Sequence, residues 1–188
     1  MQAARGTSLS DTGPSPSTPP PGAATRYRLI FAVVAVVAYA IDVATKSLAV
    51  EKLSTADVEL AGKWLVLHLT RNPGAAFSTG TEFTLLLSGI ALAAAVVVLY
   101  FARRVGNRTW AWALGLLLGG VCGNLTDRIL REPGPLRGHV VDFLMVPNWP
   151  VFNIADICIN VAAGLILIQA VRGIGVDGTR VAAREREA

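Results

Sequence analysis

Four apolar blocks divide the chain, and the polar residues are confined to the segments between them and to their ends. The first block runs from Leu29 to Ile41 behind Arg26 and Arg28, and predicts a helix from about Tyr27 to about Ser47. The second, Phe83 to Ala102, stops at Arg103, Arg104 and Arg108. The third, Trp110 to Leu125, is rich in Gly and Leu; the fourth, Val151 to Val171, is closed by Arg172 and Gly173. Each approaches or meets the about 20 residues a helix needs to cross a bilayer core. The pattern therefore predicts an all-α membrane protein of four transmembrane helices with both chain ends on one side. In the loop 48–70, Val58, Leu60, Trp64, Val66, Leu67 and Leu69 predict short strands or an interfacial segment. A small extracytoplasmic β/loop segment is thus expected between helices 1 and 2.

Residues 1–25 are rich in Ser, Thr, Pro, Gly and Ala and include Pro19-Pro20-Pro21. Such a segment buries too little apolar surface to offset its ordering entropy, so it reads as a disordered tail. Residues 26–172 then form the transmembrane domain and 173–188 a second tail. The basic flank, the apolar run and Ala38-Tyr39-Ala40 also fit a signal peptide with its cleavage site. The polar motif that follows at once favours a retained span.

Composition agrees with the bilayer as solvent. Of the 188 residues 53% are hydrophobic and 16% charged, against about 25% charged in soluble domains. The net charge of +4 invites a nucleic-acid partner, but the basic residues sit at block ends and form no stripe with interleaved aromatics. Nucleic acid is therefore excluded. Lys and Arg instead report orientation. The two tails and the short loop 103–108 hold ten of them, against seven in the much longer opposite loops. Both termini are accordingly expected in the cytoplasm. Cys122 and Cys158 lie inside apolar stretches and read as small hydrophobes; His68 and His139 are isolated, so no metal site is expected.

Ionisable and amide groups are costly in a bilayer unless they face the bundle interior or the interface. Here they recur in five places: Asp42 and Lys46, one turn apart at the end of the first span; Asn72 before Pro73 and Gly74; Asn124, Asp127 and Arg128 at the end of the third; Asp142; and Asn153, Asp156 and Asn160 opening the fourth. All five are predicted at the outer membrane face, while the second span and the lower part of the third read as purely apolar. Asn153, Asp156 and Asn160 share one helical face, and a helix starting near Val151 would bury Asp156 about 7–8 Å deep. Such an Asp either faces a polar cavity or pairs with Arg128 or Lys46. Asp127 adjoins Arg128 and reads as an ion-pair member; Asp42 and Lys46 read as a pair positioning the first span. Gly74 reads as a close backbone approach in a turn, with Pro73 holding Asn72 extended. Ala111, Gly115, Gly119 and Gly123 recur every four residues and predict a smooth packing face.

Asp42-x-x-x-Lys46, Asn72-x-Gly74-Ala75-Ala76-Phe77, Gly120-x-x-Gly123-Asn124-x-x-Asp127-Arg128, Val140-Val141-Asp142-Phe143 and Phe152-Asn153-x-Ala155-Asp156 together resemble the lipoprotein signal peptidases, the type II bacterial signal peptidases. The five motifs occur in that family's order over residues 42–156. The resemblance implies an aspartic endopeptidase of the bacterial cytoplasmic membrane with its active site at the extracytoplasmic face. It implies prolipoprotein substrates already carrying diacylglycerol on a cysteine, cut N-terminal to that cysteine. It implies Asp142 and Asp156 as the catalytic pair, with Asn72, Gly74, Asn124, Asp127, Arg128, Asn153, Asp42 and Lys46 binding substrate or supporting the site. Two carboxylates in a confined site separate their pKa values, so one activates water while the other polarises the carbonyl, without cofactor or metal. Lipid is the surrounding partner, and the sequence leaves oligomeric state open. Two other readings exist. A small transporter or proton relay would need polar groups across the membrane's depth. A non-catalytic assembly factor would explain the glycine face but not the paired acids.

Overall fold

The computed structural model describes residues 23–74 and 80–180; Ala75, Ala76 and Phe77 of the second motif, and most of both tails, lie outside the described residues. Four helices dominate: α1 (Ala23–Lys52), α2 (Gly80–Ala102), α3 (Arg108–Leu130) and α4 (Ile154–Val171). All four are long and apolar enough to cross a membrane, and their lipid-facing flanks expose Leu, Val and Ile rather than charge. The chain is a multi-pass membrane protein.

The connectivity is up-and-down. Arg28 at the start of α1 donates to the Arg103 carbonyl beyond the end of α2, and Trp110 at the start of α3 donates to the Ile174 carbonyl beyond the end of α4. At the opposite end Asp42 and Lys46 of α1 meet Asp127 of α3 and Ala155 of α4, and Thr84 of α2 bonds the Pro73 carbonyl of the first loop. At the first end Asn107 caps α3 through Thr109 and Trp110 and also accepts from buried Gln169 of α4. Residues 173–180, read as tail from the sequence, turn back here, with Gly106 N donating to the Val176 carbonyl.

α3 is the central helix. Gly115, Gly119 and Gly123 lie against Phe31, Ala35, Ala38 and Asp42 of α1, while Gly120 lies against Ala155 and Cys158 of α4. A β-carbon at Gly119 would stand 2.7 Å from that of Ala38, well inside contact distance. The four-residue stripe is thus a packing face, as its spacing predicted.

The sheet is larger than the sequence suggested. β1 (Val58–Glu59) and β2 (Val66–Asn72) come from the first loop, and β3 (Val140–Met145) joins them from the loop between α3 and α4. All pairings are antiparallel. Val141 and Phe143 seat β3 on Ala49 of α1 and on Leu53 just beyond its end, together with Leu67 and Leu69. Asp142, whose backbone conformation the sequence left unassigned, therefore stands on a strand anchored to the bundle.

Candidate functional site

The pairing of β2 with β3 aims the first pair of site residues. Leu67 is opposite Leu144, but three residues on Thr70 is opposite Asp142, so β2 carries one extra residue between them. Side chains alternate faces along a strand, so a regular register would have placed Leu69 opposite Asp142 and turned Asn72 to the other face. The bulge moves Asn72 onto the face of Asp142, as its diagonal neighbour. Asn72 Nδ2 donates to Asp142 Oδ2 at 2.8 Å, while Asn72 Oδ1 accepts from Gly74 N at 2.8 Å. Gly74 holds φ at +108°, with Leu87 of α2 where a β-carbon would point. The expected extended Asn72 and tight turn at Gly74 are both present.

α4 supplies the second acid. Asn153 is its N-cap and Asp156 its third residue, joined in a reciprocal capping box: Asn153 Oδ1 accepts from Asp156 N at 3.0 Å and Asp156 Oδ2 accepts from Asn153 N at 3.1 Å. Because α4 begins at Ile154 rather than Val151, Asp156 lies in the first turn, shallower than the sequence suggested. The N-terminal end of the helix dipole favours a carboxylate there. Asn153 Nδ2 reaches across to Asp142 Oδ1 at 2.6 Å, and Asn124 Nδ2 of α3 donates to Asp156 Oδ1 at 2.9 Å. Both acids therefore receive amide hydrogen bonds, and Asn153 joins their surroundings.

Beneath them is a charged cluster. Lys46 Nζ lies 2.8 Å from Asp42 Oδ2 and 3.0 Å from Asp127 Oδ2, and donates to Asn124 Oδ1 at 2.8 Å. Lys46 is 1% exposed and Asp42 fully buried. Asp42 Oδ1 accepts from Ala155 N of α4, and Asp127 Oδ2 accepts from Val141 N of β3. The pair at 42 and 46 thus positions more than its own helix: it ties α1 to α3, α4 and the strand bearing Asp142.

Asp127 is an ion-pair member, but its partners are Lys46 and Arg131, not Arg128. Adjacent helical residues diverge by about 100°, whereas residues four apart share a face. Arg128 turns instead toward the charges of Asp142, Asp127 and Asp156, with Nη1 buried and without a hydrogen-bond partner among the described residues. Asn160, at the edge of the site, is exposed and donates to the Asp156 carbonyl.

Asn72, Asp142, Phe152, Asp156, Ile157 and Asn160 line one cavity of about 450 Å³, with Trp149 and Pro150 also in its wall. Asp142 is 2% exposed. Burial is the main cause that pushes its carboxyl up to about 6, and the charge of Asp156 pushes the same way; hydrogen bonds from Asn72 and Asn153 and the charge of Lys46 oppose it. A carboxyl that titrates near neutrality beside a second carboxyl can exchange protons with a bound substrate.

The signal peptidase (SPase) II family matches residues 34–172, which include every residue of this cluster. This chain belongs to the signal peptidase II family. It is 46% identical over 154 residues to the lipoprotein signal peptidase of Leifsonia xyli subsp. xyli, covering 81% of this chain and 71% of that protein. It is 44% identical to the lipoprotein signal peptidase of Rhodococcus jostii over 171 residues, covering 90% and 86% respectively. Among solved structures it is similar to a bacterial membrane enzyme determined by the in meso method at 1.9 Å, with a TM-score of 0.66 and 26% identity over 74% of this chain and 91% of that one.

Proposed function

We propose that this chain is the aspartic endopeptidase that removes signal peptides from diacylglyceryl-modified prolipoproteins, with Asp142 and Asp156 as its catalytic pair. The observation that carries this reading is the shared cavity, with one acid from a bulge-registered strand and the other from a helix N-terminus. Family membership supplies the reaction class.

The charge balance supports a single proton held by the pair. Asp42, Asp127 and Asp142, all buried, and the half-buried Asp156 face Lys46, Arg128 and the half-buried Arg131, so one proton on the acids makes the cluster neutral. Two acids near each other in low dielectric do not both ionise readily, and their titration belongs to the pair. The ionised carboxylate takes a proton from water as the water oxygen attacks the scissile carbonyl carbon. The protonated carboxyl donates to the carbonyl oxygen. Collapse of the tetrahedral species breaks the C–N bond: the amide nitrogen leaves with the proton first taken from water, and the proton given to the carbonyl oxygen returns to the second carboxylate as the carbonyl re-forms. Asn72, Asn153 and Asn124 keep both carboxyls in place through this exchange; Asp42, Lys46 and Asp127 keep the elements in place. Arg128 offers an unused buried donor toward the acids, suited to a carbonyl of the bound peptide.

The arginines of the 103–108 loop support a cytoplasmic position for that end of the bundle and for both termini. The acid pair then opens at the extracytoplasmic face of the bacterial cytoplasmic membrane, where Trp64 and Trp149, both exposed beside the sheet, suit the lipid headgroup region. Cleavage of a diacylglyceryl-modified prolipoprotein by the purified protein, compared with its unmodified form, tests the assignment. Only the modified form is expected to be cut. Equal cleavage of both would remove the lipid from the recognition.

A further inference from the structure

The second apolar block hides two buried hydroxyls. Thr84 and Ser88, one turn apart on α2, are each 1% exposed. Thr84 Oγ1 donates to the Pro73 carbonyl at 2.7 Å. Ser88 Oγ lies 2.6 Å from the Leu136 carbonyl and 2.8 Å from that of Thr84, so its one hydrogen serves two carbonyls. Leu87, on the same face, packs over Gly74. This stripe of α2 therefore grips two loops from different parts of the chain. Pro73 follows Asn72, which donates to Asp142. Leu136, held at φ +63°, precedes the strand that carries Asp142 itself.

We propose that Thr84 and Ser88 are positioning residues that set Asn72 and Asp142 against each other, with α2 as the common reference for both. The inference rests on the reading of Asp142 as catalytic. Its geometry is specific: the Asn72 side chain has its Oδ1 committed to Gly74 N, so the direction of its Nδ2 follows the backbone of the turn at 73–74. Thr84 fixes the carbonyl at the centre of that turn. A leucine in the left-handed region is strained and stays there only where neighbours hold it; Ser88 bonds its carbonyl, beside the backbone hydrogen bonds that flank it at Arg137, Gly138 and His139. Neither Thr84 nor Ser88 is among the described residues that line the cavity.

The hydrogen bond from Asn72 holds the Asp142 carboxyl lower than burial alone would leave it. Other groups facing Asp142 are Asp156 from α4, Lys46 from α1, Arg128 from α3 and the neutral Asn153, whereas the Thr84 and Ser88 hydroxyls bond the carbonyls of Pro73, Thr84 and Leu136. Loosening the turn therefore moves the Asp142 limb of the pH–rate profile upward while the rest of the charge cluster is unchanged.

The test uses the full chain in detergent micelles with a diacylglyceryl-modified prolipoprotein. Thr84→Val keeps the shape and removes the donor. It is expected to lower kcat about tenfold with KM within about twofold, since small misplacements of reacting groups act on the chemical step. One limb of the pH profile should move to higher pH, and Thr84→Ser should restore both rate and profile. A Thr84→Val protein with wild-type kcat and pH profile, or a loss that Thr84→Ser does not rescue, overturns the proposal. Should Thr84→Val not fold, Ser88→Ala reads the Leu136 arm with the same two expectations and the same refutation by an unchanged kcat and profile. Asp142→Asn run alongside separates the two claims: full activity there defeats the reading of the acid pair. An inactive Asp142→Asn beside a normal Thr84→Val defeats the positioning role alone.

Discussion

Replacing Asp142 by Asn should make the protein's stability less dependent on pH, and the size of the effect follows from the burial of one carboxyl. Asp142 is 2% exposed, and its pKa rises from the usual 3.8 to about 6. At about 1.4 kcal/mol per unit, that shift of roughly two units corresponds to about 3 kcal/mol. The sign is set by linkage: the folded protein binds this proton more tightly than the unfolded chain. The contribution of Asp142 to stability is therefore fully present below about pH 4 and lost as the pH rises through about 6. Asn carries no such proton. It does bring its own cost, because its amide must face the Nδ2 donor of Asn72 or Asn153; that cost is the same at every pH and cancels in a comparison across pH. Denaturant unfolding in detergent micelles at about pH 4 and about pH 8 should show the variant gaining about 2 kcal/mol on the wild type between the two, because part of the change already lies below pH 4. Stability curves that run parallel across this range would refute a buried, protonatable Asp142. The same trade of stability for a tuned acid is common at sites where chemistry needs a group its surroundings disfavour.

Lys46→Met should be among the most damaging substitutions, since it strips two buried carboxylates, Asp42 and Asp127, of their shared cation. A loss of about 3–5 kcal/mol is expected; a variant with an unchanged unfolding midpoint would show that the cluster carries no structural role. Gly123→Ala drives a methyl into the Asp42 carboxyl and should lower the yield of folded protein, whereas Gly164→Ala meets open space and should be neutral or slightly stabilising. Equal thermal midpoints for the two would contradict the packing of α3 on α1. A reporter fused at Gly106 should read cytoplasmic, and an extracytoplasmic signal there would invert the proposed orientation.

The spans were legible because membrane helices are written as long apolar blocks, and so was the convergence of acids and amides at one end. What the sequence concealed has physical reasons. Val140–Met145 is a short, mostly apolar run whose two faces are both buried at Val140 to Phe143, so it lacks the alternation that marks a half-exposed strand. The bulge in β2 that turns Asn72 toward Asp142 has no signature in its residue types. The pairing of Asp127 with Arg131 is readable from their spacing of four, whereas Arg128, although adjacent in sequence, points about 100° away on the helix. Likewise Asn153 and Asp156, three apart ahead of an apolar run, spell a capping box that would have placed the start of α4 correctly. Thr84 and Ser88 were lost inside an apolar block because a hydroxyl bonded to a backbone carbonyl hardly perturbs the pattern.

Parallel turnover assays of the wild type, Asp142→Asn and Asp156→Asn test whether the two acids together cleave the modified substrate. With all three proteins purified folded and given one diacylglyceryl-modified prolipoprotein, each substitution should abolish release of the signal peptide while substrate still binds. Cleavage by either variant at the wild-type rate would contradict the account.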